Sequence, residues 1–242
     1  MKTLMIVVFV LFSSISITKA QTFKSLKKSL DKAISNDGAK SLSQDEIAQG
    51  LKEALTVGID KGVLKLSKPD GYFKDPEIKI PMPAETSTVE SKLRQLGQGE
   101  QVDAAIESMN RAAEDAAVMA KDIFIDAIKA MTLNDARSIL QGNDDAATQY
   151  LSSNTRADLV YKFRPHIETS LDKVGATQHW STIFSTYNKI PFVQKVDTDL
   201  VGYATDKAID GLFIQVAREE FDIRKNPGAR ITDLLKKVFG GG

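Results

Sequence analysis

The chain has 242 residues, 32 basic and 32 acidic side chains, seven prolines and no cysteine. The lack of cysteine removes disulfides, thiol nucleophiles, Cys-ligated zinc and a lipidated N-terminal Cys together. The balanced charge provides no positive field, so nucleic acid is not expected as a partner.

The first twenty residues read as a secretory signal peptide. Lys2 supplies a positive start, LMIVVFVLF (4–12) is apolar, and Thr18 and Ala20 hold the small-residue positions of a cleavage site. That nine-residue run is far shorter than the roughly 20 residues that span a bilayer. Cleavage after Ala20 and a periplasmic destination are therefore expected rather than an anchor. Cleavage removes Lys2 and Lys19 and no acid, which leaves a small acidic excess. No later stretch has the length and apolarity of a span, so no transmembrane segment is expected afterwards. Residues 21–242 suffice for one sizeable core.

From there nearly every segment reads as helix. Ser43 and Glu46 form a capping box ahead of IAQGLKEALTVGIDKGVLKL. Ser87 and Glu90 repeat the pattern ahead of SKLRQLG, with Gly97 as a stop. The longest segment runs from Gly99 to Met131. Val102, Ile106, Met109, Ala113, Ala120, Phe124, Ala127 and Met131 make one apolar stripe along it, and its alanines allow neighbouring helices to approach closely. Thr132 and Asp135 open ARSILQG, closed by Gly142. Asp197 or Thr198 starts a segment that continues to Asn226-Pro227, and ITDLLKKVF is a short final helix before a flexible Gly-Gly-Gly tail at 240–242. In the long segment after Asp199, Ile209, Leu212, Phe213, Val216 and Ile223 form one apolar face, and Tyr203, Ile214 and Phe221 another. Such a helix belongs at the centre of the fold.

The exception is SKPDGYFKDPEIKIPMPAE (67–85), which holds four of the seven prolines. Pro69-Asp70-Gly71 signals a turn, and Glu77 to Ile80 alternate like a short strand. The expected architecture is all-α: a single bundle-like helical domain over 21–242 with one extended, proline-rich loop.

Six segments, in order, carry a resemblance: LSQDEIAQGLKEAL, KPDGYFKDPEIKIPMP, MNRAAEDA, GNDDAATQYL, KAIDGLF and LLKKVFG. Together they resemble the bacterial domain-of-unknown-function 4197 family across nearly all of the mature chain. The resemblance implies an exported, mostly helical protein of Gram-negative bacteria. It implies no activity and transfers no catalytic residue.

Candidate chemistry is sparse. The adjacent carboxylates Asp144 and Asp145 follow Gly142, where Asn143 or Asp144 suits a helix N-cap and Asp145 suits the first turn. They could instead bind a metal if other oxygen ligands lay nearby. Asp103, Glu107, Asn110 and Glu114 line one flank of the long segment, so Glu107 with Asp144 and Asp145 is the candidate metal set, suited to Ca²⁺ or Mg²⁺. The competing reading is a solvated face with Arg111 paired to Asp115. DTDLVGYATDKA starts like a calcium loop, but Val201 and Ala208 stand where ligands are required. Glu220 and Arg224 read as a structural pair on the apolar face. His166 and His179 share no ligand spacing, and no P-loop, HExxH, G-x-S-x-G or Rossmann glycine pattern occurs. His179, Trp180, Phe184 and Tyr187 read as aromatic packing.

Candidate ligand-binding residues are Asn110, Arg111 and Glu114 on the helix with Tyr72 and Phe73 in the loop, although two adjacent aromatics also serve as core anchors. No catalytic residue is marked and no cofactor is expected. The preferred reading is a non-enzymatic periplasmic protein that binds an unidentified small molecule or an envelope protein. The alternative is a divalent-metal-dependent hydrolase, which needs the acidic flank and Asp144/Asp145 to face one cleft.

Overall fold

Ser43 opens the first helix as the sequence requires. Its hydroxyl accepts from the Glu46 amide at 3.2 Å, and the Glu46 carboxylate accepts from the Ser43 amide at 2.8 Å. The computed structural model describes residues 43–226, apart from 174, 190, 193, 194 and 198. Leu42–Gly240 form one compact unit; a second, Met1–Ser41 with the last two glycines, lies outside the described residues. So do the segments expected as a signal peptide (1–20), as a final helix (ITDLLKKVF) and as a glycine tail.

The helices are α1 (Gln44–Leu66), α2 (Ser87–Gln95), α3 (Gly99–Ala117), α4 (Ala120–Ala130), α5 (Leu133–Gln141), α6 (Ala146–Lys173), α7 (Ala176–Tyr187) and α8 (Leu200–Lys225), with a 3₁₀ turn at Ala84–Thr86. Among the described residues there is no strand, so the fold is all-α. α8 lies against α1, α3, α6 and α7. Ile209, Leu212, Phe213, Val216 and Ile223 are buried, whereas on the opposite face Tyr203 and Ile214 are half-buried and Phe221 is exposed. The alanine stripe is the tightest layer: Ala112, Ala113, Ala116, Ala117 and Ala120 are inaccessible to solvent. Phe124 meets Phe213 edge to face at 5.7 Å.

Three expectations change. The segment 99–131 is two helices. At Val118-Met119 the amides of Met119 and Lys121 bond three residues back, to Ala116 and Val118, a tighter turn than the α-helix makes. The break leaves Val118 in solvent and keeps the alanines and Phe124 on the core. The second capping box does not form, because the 3₁₀ turn has already begun the helix. Ser87 has helical dihedrals, Thr86 precedes it without a side-chain cap, and Glu90 pairs with Arg94 instead. The short strand at 77–80 is also absent. Ile78 and Ile80 point inward as the alternation requires, but the chain there is built of turns.

Other boundaries follow the sequence. Gly97 takes φ +77°, and its amide and that of Gln98 bond back to Arg94 and Leu93, a Schellman ending that favours glycine. Thr132 and Asp135 complete a capping box, and the Asp199 side chain caps α8 at Gly202.

Candidate functional site

The proline-rich loop is fastened to α3 by side chains that act as backbone partners. Asn110 is wholly buried. Its Oδ1 accepts from the Ile80 amide at 2.8 Å, and its Nδ2 donates to the Ile80 carbonyl at 2.9 Å. One side-chain amide thus provides the pairing a neighbouring strand would give. One turn further along, Glu114 Oε1 accepts from the consecutive amides of Tyr72 and Phe73, each at 3.1 Å. Arg111 donates to Glu114 Oε2 and to Asp70 at 2.8 Å, and also reaches Glu107. Its ion pairs therefore lie with those three carboxylates and not with Asp115.

Tyr72 fills the space between loop and core. It is fully buried, and its hydroxyl donates to the Ala208 carbonyl at 2.8 Å. A Cβ at Gly211 would stand 2.7 Å from the Tyr72 ring, so glycine there makes room for the aromatic. Burial pushes the Tyr72 phenol far above its usual range, with the Glu114 charge adding to it. Phe73 is half-buried, with the Lys79 ammonium 4.4 Å from its ring centre. The loop's far side is held by Arg218, which reaches Asp75 at 2.6 Å and also Glu77. The Arg218 contact holds the Asp75 carboxyl below the usual carboxylate range.

Five predicted ligand-binding residues, Tyr72, Phe73, Asn110, Arg111 and Glu114, therefore do converge, and Glu107 joins them through Arg111. They bind one another. The polar atoms of Asn110 and the Glu114 carboxylate are engaged within the chain, which identifies this cluster as a loop fastening.

Asp144 and Asp145 belong to a different constellation. Asp144 pairs with Lys225 at 2.9 Å, and Asp145 accepts from the Gln149 side chain at 2.9 Å. The orphan amides at the start of α6 are satisfied from α8 instead. Glu220 Oε1 accepts from Ala147 at 3.0 Å, and its Oε2 accepts from the Thr148 amide and hydroxyl at 2.8 Å. A carboxylate at a helix N-terminus also complements the helix dipole. Arg224 holds Glu220 at 2.7 Å and donates to the Ile139 carbonyl at the end of α5. Among the described residues, no three His, Cys, Asp or Glu side chains are grouped so as to hold a metal ion. Glu107 with Asp144 and Asp145 thus makes no such group.

The structure also contains a feature that the sequence reading passed over. A cavity of about 400 Å³ opens between α2, α3 and α7, with Met82 and Leu200 also in its lining. Its apolar walls include Val89, Leu93, Val102, Trp180 and Phe184, and Gln101, Ser108 and Glu90 supply polar groups. The Trp180 and Phe184 rings meet tilted at 45° with their centres 4.3 Å apart, and the indole N–H donates to the Asp197 carbonyl at 3.3 Å. The small side chains Ala104, Ala105 and Ser108 leave the space open opposite those rings. That was the available signal: small residues on one helix facing aromatics on another. Of the residues read as packing alone, Trp180, Phe184 and Tyr187 do pack, and the first two also form a wall.

The helical fold, the fastened loop and the cavity define an all-α protein with an apolar chamber. A family model described as a protein of unknown function, DUF4197, matches residues 41–240, and the chain belongs to that family. No curated protein and no solved structure matches the chain.

Proposed function

We propose that this chain is an exported, non-enzymatic protein of the bacterial envelope that holds an apolar small molecule between α2, α3 and α7. The cavity carries the proposal. Its volume of about 400 Å³ falls within the roughly 300–1,000 Å³ of small-molecule sites, and an apolar wall with a few polar groups is their usual make-up. The occupant this lining suits is largely hydrocarbon with one neutral polar group near Gln101 and Ser108. Export rests on the sequence of residues 1–20. Among the described residues, no helix is long and apolar enough to cross a membrane.

The test is a native mass spectrum of the protein purified from the periplasm, followed by titration with a single-chain fatty alcohol. Trp180 is the only tryptophan and lines the cavity, so its emission reports occupancy directly. The expected results are a chain beginning at Gln21, an added organic mass, and a saturable change in emission that Ala105→Phe abolishes. A bare mass with no saturable change would overturn the binding reading, and a chain retaining Met1 would overturn export. A divalent-metal adduct lost on Asp144→Ala would favour the metal-dependent hydrolase.

A further inference from the structure

The three helices around the cavity are held very unequally. α3 packs on α6 and α8 and carries buried alanines, and α7 is anchored by the buried Trp180 and Phe184. α2 has no buried residue. It rests on α3 and on the 3₁₀ turn before it. Its three half-buried residues, Val89, Glu90 and Leu93, are the three it gives to the cavity lining. The inward face of α2 therefore covers the chamber rather than filling the core, and lifting it exposes little apolar area. Its two flanks differ as sharply. Upstream, the chain is tied down as far as Thr86. Asn110 holds both backbone groups of Ile80, the Tyr203 hydroxyl donates to the Pro81 carbonyl at 3.0 Å, and the wholly buried Thr86 donates to the Pro83 carbonyl at 2.7 Å. Downstream come Gly97, with φ +77° and open space where a Cβ would stand, and then Gly99. Across that turn Arg94 reaches Asp103 on α3 at 2.7 Å, with the two side chains 39% and 65% exposed. Arg94 also pairs with Glu90 on its own helix at 3.0 Å.

We propose that α2 is a lid on the cavity, pivoting at Thr86, yielding at Gly97 and Gly99, and latched to α3 by the Arg94–Asp103 pair. The inference deepens the binding reading of the cavity and rests on it: the ligand enters and leaves past α2. Hinges sit where backbone torsions change at little cost, and glycine supplies that freedom. An ion pair in water is a weak bond and is screened by salt, which suits a latch that must part and re-form. Arg94 keeps Glu90 when the latch parts, so opening leaves no arginine without a partner. Val89 and Leu93 meet the hydrocarbon of an occupant, so a bound ligand adds apolar contact beneath the lid and favours the closed position.

The experiment is stopped-flow mixing of the full mature chain with a single-chain fatty alcohol, read at Trp180. Asp103→Asn unlatches the lid. It is expected to raise the entry and exit rates together, by up to about fivefold, while Kd and Tm stay close to the wild-type values. Raised salt is expected to speed the wild type in the same way and to add nothing to Asp103→Asn. The chain has no cysteine of its own, so thiols placed by Arg94→Cys with Asp103→Cys can be joined across the latch with a short bismaleimide. The joined protein is expected to take up and release the alcohol more slowly than the same variant left unjoined, a comparison in which the sequence, and any effect of it on folding, is held constant. Equal rates in the joined and unjoined proteins would overturn the lid. So would an Asp103→Asn variant that changes Kd or Tm and leaves the rates alone, the mark of a merely structural pair. In both cases saturable binding at Trp180 survives. Its absence at equilibrium, in wild type and variants alike, is the separate trace left by failure of the cavity reading, and the lid falls with it.

Discussion

Two buried glutamates on different helices do the same job, and they differ in how their arginines are housed. Glu114 binds the amides of Tyr72 and Phe73, and Glu220 binds those of Ala147 and Thr148. Each is paired with an arginine on its own helix. The Arg111 side chain is 36% exposed and divides itself among Glu107, Glu114 and Asp70; the Arg224 side chain is 7% exposed and holds Glu220. The lesson concerns desolvation. A charge taken fully out of water depends heavily on its partner, whereas a half-exposed one has water and other carboxylates to fall back on.

The comparison orders the expected losses. Glu220→Ala should be the most damaging change. It removes the carboxylate that holds Arg224 and strands two amides at the start of α6, for about 3–5 kcal/mol. Glu114→Ala should cost less, about 2–3 kcal/mol, because Arg111 retains Asp70 and Glu107 while the two loop amides lose their acceptor. Urea midpoints for both variants test the order. Equal losses would mean that the exposure of the arginine does not matter.

Acid separates the two clamps in another way. Asp70 is held below the usual carboxylate range by Lys74 and then Arg111, and Asp75 is held down by Arg218. A carboxyl with a depressed folded-state pKa contributes stability that is complete above its unfolded value of about 4 and fades as pH falls through the folded value. The loop side should therefore loosen as pH falls below about 4. Asp75→Asn should flatten the acid limb of a Tm-against-pH curve, and an unchanged limb would show that the Arg218 pair is not what acid breaks. The smallest effect belongs to Asp144→Ala. Its exposed pair with Lys225 should be worth less than about 1 kcal/mol, and a larger loss would show that Asp144 does more than pair at the surface.

The sequence announced elements whose signals are local. Ser43 with Glu46 and Thr132 with Asp135 cap as read, because both partners lie within one turn. Ser87 with Glu90 has the same letters and fails, because the 3₁₀ turn upstream decides where α2 begins. The break at Val118-Met119 was illegible for a similar reason: every residue from 99 to 131 is compatible with helix, and only the curvature of the surrounding core bends it. The alternation read at 77–80 does put Ile78 and Ile80 inward, but the partner that replaced a strand is a side chain thirty positions away, Asn110. The acidic flank was read as a source of ligands. Its charges are spent inside the chain: Asp103 on Arg94, Glu107 and Glu114 on Arg111 at helical spacing, and Glu114 also on the Tyr72 and Phe73 amides, a link about forty positions long that no spacing rule encodes. The cavity was passed over because its one signal, small residues on α3 and aromatics on α7, becomes a chamber only when three helices meet.

The placement of α8 governs when the molecule can become whole. Tyr72 waits for a carbonyl 136 positions further along the chain, and the start of α6 waits for a carboxylate 72 to 73 positions away. A growing chain that has reached α7 still lacks the acceptor for its loop tyrosine, the cap for its longest helix and the face that covers its alanine layer. Closing such distant contacts is slow relative to forming local ones. Assembly is therefore held back until the last described helix has emerged. For the exported chain proposed above, the order of its helices alone would delay folding until translocation.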